Sequence, residues 1–301
     1  MVARVIEDTT NFFFIKGGDR ILVGDRQYKV LGHAHESQFG IDDPKLWVVR
    51  AVDVESKARK IIKLAFFETF ITSLAGVKVR CFRSPEKEAS ILRLVADHPN
   101  FMQGRDYADA KGNNVRVLDV VRGKTFLTYI DSIRMPYDRY YQEALPGILQ
   151  KLTEALTAIG FLHRNGFRHG DVRADHLFVE SKTGEYIWID FDYDFEATEN
   201  PFSLDIFGLG TLLVCAVGKG LHTGYLIGND RHRYGCLADR IDADDFAILD
   251  KSMFVNLRKL YPVIPNRLND ILMHFSMGAE VYYEYVDEIL RDLNRSLDSW
   301  Q

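Results

Sequence analysis

Apolar residues in the first third of the chain fall into short β-branched runs with polar punctuation. Arg20-Ile21-Leu22-Val23 and Tyr28-Lys29-Val30-Leu31 flank Gly24-Asp25, which predicts a hairpin. Residues 46–54 and 59–66 form two more such runs around the turn signal Glu55-Ser56-Lys57. A helix is predicted to start at Ser84-Pro85-Glu86. Serine can cap the first free amides, proline suits the first helical position, and glutamate meets the positive end of the dipole. Ile91, Leu92 and Val95 make its apolar face, and Asp97-His98-Pro99-Asn100 ends it. After the turn Gly112-Asn113-Asn114, the strand Val115-Arg116-Val117-Leu118 runs into Asp119-Val120-Val121-Arg122-Gly123.

The period then lengthens. Leu145, Ile148, Leu149, Leu152, Leu156, Ile159 and Leu162 recur at three- and four-residue spacing, and Asn165-Gly166 closes the helix they predict. Leu177-Phe178-Val179-Glu180 and Tyr186-Ile187-Trp188-Ile189 read as strands turned by Ser181-Lys182-Thr183-Gly184. Further helices are predicted at Ser203–Val217, 266–277 and 281–297. A small β-rich part followed by a larger helical part predicts an α+β chain of two lobes with a cleft between them. There is no internal repeat.

Composition narrows the classes of function. With 301 residues, 47% of them apolar, the chain can bury a sizeable core. A net charge of -5, with the two signs interspersed, argues against nucleic acid and against an anionic membrane as partner. Cys81, Cys215 and Cys236 are scattered, so neither a disulfide framework nor a cysteine zinc site is expected, and a reducing cytoplasm fits. The N-terminus is too polar for a signal peptide. The longest nearly apolar run, 206–217, is too short to span a bilayer and predicts a buried helix. His33 with His35, and His222 with His232 and Cys236, lack a matched second ligand pair, so zinc is not expected at either. The long polar stretch 219–245 reads as a loop available to a partner.

The chemistry concentrates in His169-Gly170-Asp171-Val172-Arg173-Ala174-Asp175-His176, followed by Asp190-Phe191-Asp192. A loop carboxylate, a strand-turn-strand and a second carboxylate come in the order that phosphoryl transfer from a nucleotide needs. One acid orients the acceptor hydroxyl and another holds the metal on the phosphates. With Leu162-His163-Arg164-Asn165-Gly166-Phe167-Arg168 upstream, this stretch resembles the L-H-x-x-G-x-x-H-x-D catalytic loop and D-F-G motif of the protein-kinase superfamily. The likeness is to serine/threonine kinases of the bacterial kind, with a divergent H-G-D loop.

The resemblance implies a two-lobed kinase-like domain. Its N-lobe with an N-terminal extension would be 1–118, its hinge 119–124 and its helical C-lobe 125–301. It implies ATP with magnesium or manganese as cofactors, and a hydroxyl acceptor, most simply a protein serine or threonine. Lys63 on Lys60-Ile61-Ile62-Lys63 would meet the α/β-phosphates, and Glu88, in a stretch similar to E-x-x-x-L…H-P-N, would orient it. Leu118 would be the gatekeeper, with the Asp119 carbonyl and Val121 amide on the adenine edge. Gly32 and Gly40 would bound the phosphate loop. Asp171 would take the acceptor proton, Arg173 would meet the γ-phosphate and Asp190 would hold the metal. Asp205, in a stretch similar to D-x-W-x-x-G, would tie down the catalytic-loop backbone.

Several of these residues have plainer readings. Taken alone, Lys63 reads more readily as a surface lysine on an edge strand and Glu88 as a solvated helix residue, and their value comes from order and spacing; Arg173 also reads as an ion-pair partner of Asp175. The departures from the pattern matter as well. Gly32 to Gly40 lacks the interior glycines of G-x-G-x-x-G, and the loop reads as extended through residue 45. His176 replaces an asparagine. Asp192, where the family has glycine, would supply a metal oxygen instead; the alternatives are a one-metal site or a preference for manganese, and His176 itself reads as a metal ligand or as a packed histidine bonded to a backbone carbonyl. Gly170 replaces the arginine that reads an activation-loop phosphate, so that control is expected to be absent. The H-G-D form is also similar to aminoglycoside and choline phosphotransferases. The short acidic segment from Asp190 to Asp205, without A-P-E, leaves little room for a docking peptide. Two rivals follow from these departures: a small-molecule kinase and an ATP-binding pseudokinase scaffold.

Overall fold

The computed structural model describes residues 4–38, 41–74, 77–196 and 199–298. It is mixed α+β, with a curled sheet in the N-terminal region and a helical C-terminal part. The chain forms two compact units. The first takes Met1–Thr69, Phe82–Val121 and Phe191–Tyr193; the second takes Phe70–Cys81, Arg122–Asp190 and Asp194–Gln301.

In the first unit the strands are β1 (Val5–Ile6), β2 (Arg20–Val23), β3 (Arg26–Gln38), β4 (Ile41–Asp53) and β5 (Arg59–Lys63). The hairpin β6 (Thr69–Leu74) and β7 (Val77–Arg83) comes next, before helix α1 (Pro85–Leu94), β8 (Gly104–Ala108) and β9 (Asn114–Asp119). One seven-stranded sheet runs in the order β1-β2-β3-β4-β5-β9-β8. Its buried face gathers Ile21, Val23, Val30, Val49, Ala51, Ile62, Val115 and Val117 around Phe12 and Ile15. The 24–25 turn joins β2 to β3 as the sequence predicts. The extended loop expected through residue 45 is instead a ladder, with β3 and β4 paired from Tyr28↔Asp53 out to Gln38↔Ile41. The sequence there is mostly polar, so no apolar period announces the pairing. Helix α1 begins where predicted. Ser84 Oγ accepts from the Lys87 amide at 3.2 Å, with Pro85 as the first helical residue.

The N-terminal segment is tied to this sheet by one buried carboxylate. Asp109 accepts from the amide and hydroxyl of Thr9, both at 2.7 Å, and from the Asn113 amide at 2.9 Å. Burial alone would raise its carboxyl, but these donors hold it down at about 2.

The second unit opens with most of the β6–β7 hairpin and continues through β10 (Gly123–Thr125) and helix α2 (Phe126–Ser132). Helix α3 (Leu145–Arg164) precedes β11 (Leu177–Glu180), β12 (Tyr186–Trp188) and β13 (Tyr193–Phe195). Helices α4 (Ser203–Val217), α5 (Asn266–Met273) and α6 (Val286–Asp298) complete it. The core lies on α3 and α4. Leu145, Leu149, Leu152, Leu156, Ile159 and Leu162 bury one stripe of α3, and α4 buries Leu209 and residues 212–217. The stretch 219–245 is not a loop. It folds into the short helices Gly224–Asn229 and Arg231–Tyr234 and two 3-10 turns. Thr223 and Asp230 cap the first two, and an Asp242–Asp245 capping box holds the last turn. Each cap is a local signal that an apolar-period search passes over. Among the described residues, no helix is long and apolar enough to cross a membrane.

Candidate functional site

In the first unit, Lys63 ends β5, which pairs with β4 on one side and β9 on the other, so it lies inside the sheet and not on its edge. It is buried, and its Nζ donates to Glu88 Oε1 at 2.7 Å. Glu88 comes from the first turn of α1 and is fully buried. Its other oxygen accepts from Arg116 Nε at 3.1 Å. Arg116 is itself fully buried and also donates to the carbonyls of Asn114 and Leu64. The sequence reading assigned no role to Arg116, although an arginine within Val115-Arg116-Val117-Leu118 was a visible signal of a buried partner.

Asp192 belongs to the same cluster. Arg83 Nη1 donates to both of its oxygens at 2.8 Å, and Lys63 Nζ lies 3.4 Å from one of them. The Arg83 guanidinium also sits over the rings of Tyr193 (4.0 Å) and Trp47 (5.3 Å), and the Asp192 carbonyl accepts from the Ser84 amide at 2.7 Å. The charge of Asp192 is therefore met by two cations, and its backbone starts α1. Leu118 is buried. Asp119 is exposed at the end of β9, with its carboxylate paired to Lys60, and Val121 is half-buried just beyond. Gly32 lies at a register shift in β3 with φ +152. Gly40 lies outside the described residues.

In the second unit, the loop carrying Asp171 is fixed by Asp205 from the first turn of α4. Asp205 is fully buried and accepts from the His169 amide (2.7 Å), the Gly170 amide (2.9 Å) and His163 Nε2 (3.0 Å). Burial would raise its carboxyl, but these donors hold it below the ordinary aspartate value. Gly208 lets α4 approach the loop, because a Cβ there would meet the Val172 carbonyl at 2.4 Å.

Asp171 and Asp190 face one imidazole from two sides. His176 Nδ1 lies 3.4 Å from Asp171 Oδ2, and its Nε2 lies 3.7 Å from Asp190 Oδ2. The same Nδ1 is 3.0 Å from the Asp171 carbonyl, and Arg173 Nη2 is 3.0 Å from Nε2. A carbonyl can only accept and a guanidinium can only donate, so Nδ1 carries the hydrogen and Nε2 offers its lone pair to Arg173. Arg173 also pairs with Asp175 at 3.0 Å and reaches Asp171 at 3.5 Å. Burial pushes the Asp171 carboxyl above the ordinary aspartate value, Asp190 adds to the shift, and His176 and Arg173 oppose it. Asp190 has φ +64, a left-handed backbone that few side chains adopt.

Arg168 holds the end of β13 and the chain at Pro201. Arg168 donates to Asp194 and to the carbonyls of Phe195 and Pro201, and its guanidinium lies 4.0 Å over the Phe195 ring. The structure thus gathers Lys63, Glu88 and Asp192 in one unit, and Asp171, Arg173, His176 and Asp190 in the other. His222 uses both ring nitrogens inside the protein, on Tyr234 Oη and the Gly218 carbonyl, each at 2.9 Å.

No protein-family model matches the chain. Part of it is similar to two proteins of Mus musculus. To the Sperm motility kinase Tcr mutant form it is 26% identical over 161 residues, which covers 46% of this chain and 32% of that protein. To Sperm motility kinase 2B it is 28% identical over 114 residues, covering 38% and 22%. The chain therefore spans about a third or less of the length of these curated relatives, and its likeness to kinases is distant and partial.

Proposed function

We propose that the chain is an ATP-dependent phosphotransferase with a two-lobed, protein-kinase-like fold, which passes a γ-phosphate to a hydroxyl, with a protein serine or threonine as acceptor. The observation that carries this reading is the placement of Asp171 and Asp190 on either side of His176, with the loop of Asp171 held by the buried Asp205 through two amides. Two half-buried carboxylates that flank one imidazole suit a hard divalent cation and a hydroxyl proton. The distant likeness to two kinases supports the same reading.

The oxygen donors present fit magnesium or manganese. Asp190 would hold the ion, whose chemistry is to neutralise charge on the phosphates. Asp192 is a weaker candidate for that task, since Arg83 and Lys63 already meet its charge. His176 in its Nδ1–H form acts as a spacer that holds the Asp171 loop by its own carbonyl. Lys63, kept straight by Glu88, offers its ammonium to phosphate oxygens. Asp171 orients the acceptor hydroxyl, and its raised affinity for a proton suits it to take one late in transfer. Arg173 can meet the transferred group with its planar guanidinium fork.

One observation favours a second reading, a small-molecule acceptor. The segment after Asp190 is short and is pinned at Asp194, Phe195 and Pro201 by Arg168, which leaves little free chain to seat a peptide. Transfer of labelled phosphate from ATP, tried on protein substrates and on a panel of small hydroxyl compounds, tests both readings. Label in neither, with wild type and Asp171→Asn alike, would overturn the phosphotransferase reading.

A further inference from the structure

A pocket of about 560 Å³ in the second unit is lined by Asp131, Arg134, Met135, Lys219 and Arg233, among others. Three cations face one carboxylate there. Among the described residues, no carboxylate lies within ion-pair distance of Arg134, Lys219 or the Arg233 guanidinium. The crowding is felt by Lys219, where burial first, and then Arg134 and Arg233, lower its affinity for a proton. Three cations against one carboxylate leave a net positive charge that an anion would answer.

Aromatic packing and hydrogen bonds hold the chain next to these lining residues. Tyr137 stacks on Tyr261 with ring centroids 3.4 Å apart, and its hydroxyl donates to the Val217 carbonyl at 2.7 Å. Tyr140 donates to the Ala216 carbonyl at 2.6 Å. Lys219 has φ +53, strained for a side chain of this kind, and donates to the Met135 carbonyl. The negative end of α4 accounts for one cation at this place. It does not account for the two arginines, whose forks are matched to tetrahedral oxyanions.

We infer that this pocket binds a phosphate-type dianion, held by Arg134 and Arg233 with Lys219 beneath. The inference is independent of the phosphotransferase reading, since none of these residues belongs to the clusters around Lys63 or Asp171. The same chemistry is offered by a phosphorylated side chain of another protein and by a free phosphorylated small molecule.

The test is an NMR titration of the isotopically labelled full chain with inorganic phosphate and, separately, with a short phosphoserine peptide. Saturable shifts are expected at residues 130–136, 218–220 and 233. They should persist in Lys63→Met, which removes a phosphate contact elsewhere. They should weaken about tenfold or more in Arg134→Gln, the loss of one charge-assisted contact, and vanish in Arg134→Gln/Arg233→Gln. Both arginines are exposed, so the fold should survive. Lys219→Gly, which relieves the backbone strain, should also weaken binding while keeping the fold. A phosphopeptide that binds more tightly than phosphate identifies a protein-borne group, and equal affinity identifies a free phosphate compound. Shifts absent from these residues, shifts that survive the double substitution, or a peptide that binds equally without its phosphate would each overturn the inference.

Discussion

Glu88 divides its carboxylate between two buried cations, Lys63 at 2.7 Å on one oxygen and Arg116 at 3.1 Å on the other. Removing one partner of a buried ion pair leaves charge that water cannot reach, at a cost of about 3–5 kcal/mol. Arg116→Ala should lower the stability of the first unit by that order, measured by urea unfolding. Arg116→Lys should cost less, because one contact to Glu88 can be rebuilt. A loss under about 1 kcal/mol for Arg116→Ala would show that the pair does not hold α1 against the sheet.

Arg168 holds Asp194, Phe195 and Pro201 by hydrogen bonds to a carboxylate and two carbonyls, with no phosphate among these partners. Treatment with a phosphatase should therefore leave activity unchanged, whereas Arg168→Ala should lower it at least about tenfold, the worth of one charged contact. Limited proteolysis should cut near this segment faster in Arg168→Ala. An enzyme silenced by phosphatase would contradict this.

Asp109 is held at about 2 in the folded protein, below the ordinary aspartate value of 3.8. A lowered carboxyl contributes stability that is fully present above pH 4 and lost as pH falls toward 2. Asp109→Asn should flatten the pH dependence of unfolding across that window, with little change in slope between pH 5 and 8. An unchanged acid slope would mean that the tie to Thr9 contributes nothing to acid sensitivity.

Asp171 has the opposite sign. Its carboxyl is raised, so its ionised form disfavours the fold once pH rises through the folded value. Asp171→Asn should thus abolish transfer, by about 10²–10⁴-fold at least, yet raise stability at pH 7 by about 0.5–2 kcal/mol. Thermal unfolding of the two proteins checks this. A clearly less stable variant would show that Asp171 has a structural role.

Much of this was legible wherever a local rule and burial agreed. Ser84-Pro85-Glu86 announced α1, the three- and four-residue spacing from Leu145 announced α3, and the nearly apolar stretch 206–217 announced a buried α4. The strands β6 and β7 were missed although Val77, Val79 and Cys81 alternate as a strand should. The sequence from Gly32 to Lys45 has no apolar period, so the β3–β4 pairing is not legible there. The partners of Glu88 and Asp192 were hidden for another reason. Arg83 and Arg116 are distant in sequence from the carboxylates they meet, and a charge inside an apolar strand states that a partner exists without naming it. His176 showed the limit of residue type as a guide, because its ring hydrogen bonds, and not its identity, fix which nitrogen is available.

The most direct measurement is ATP turnover and phosphate incorporation by the purified chain, followed by mass spectrometry, with magnesium and manganese in parallel and Asp171→Asn as control. Metal-dependent transfer by the wild type that is lost in Asp171→Asn is the expected result. Nucleotide that neither binds nor turns over with either metal, or turnover equal in both proteins, would contradict it.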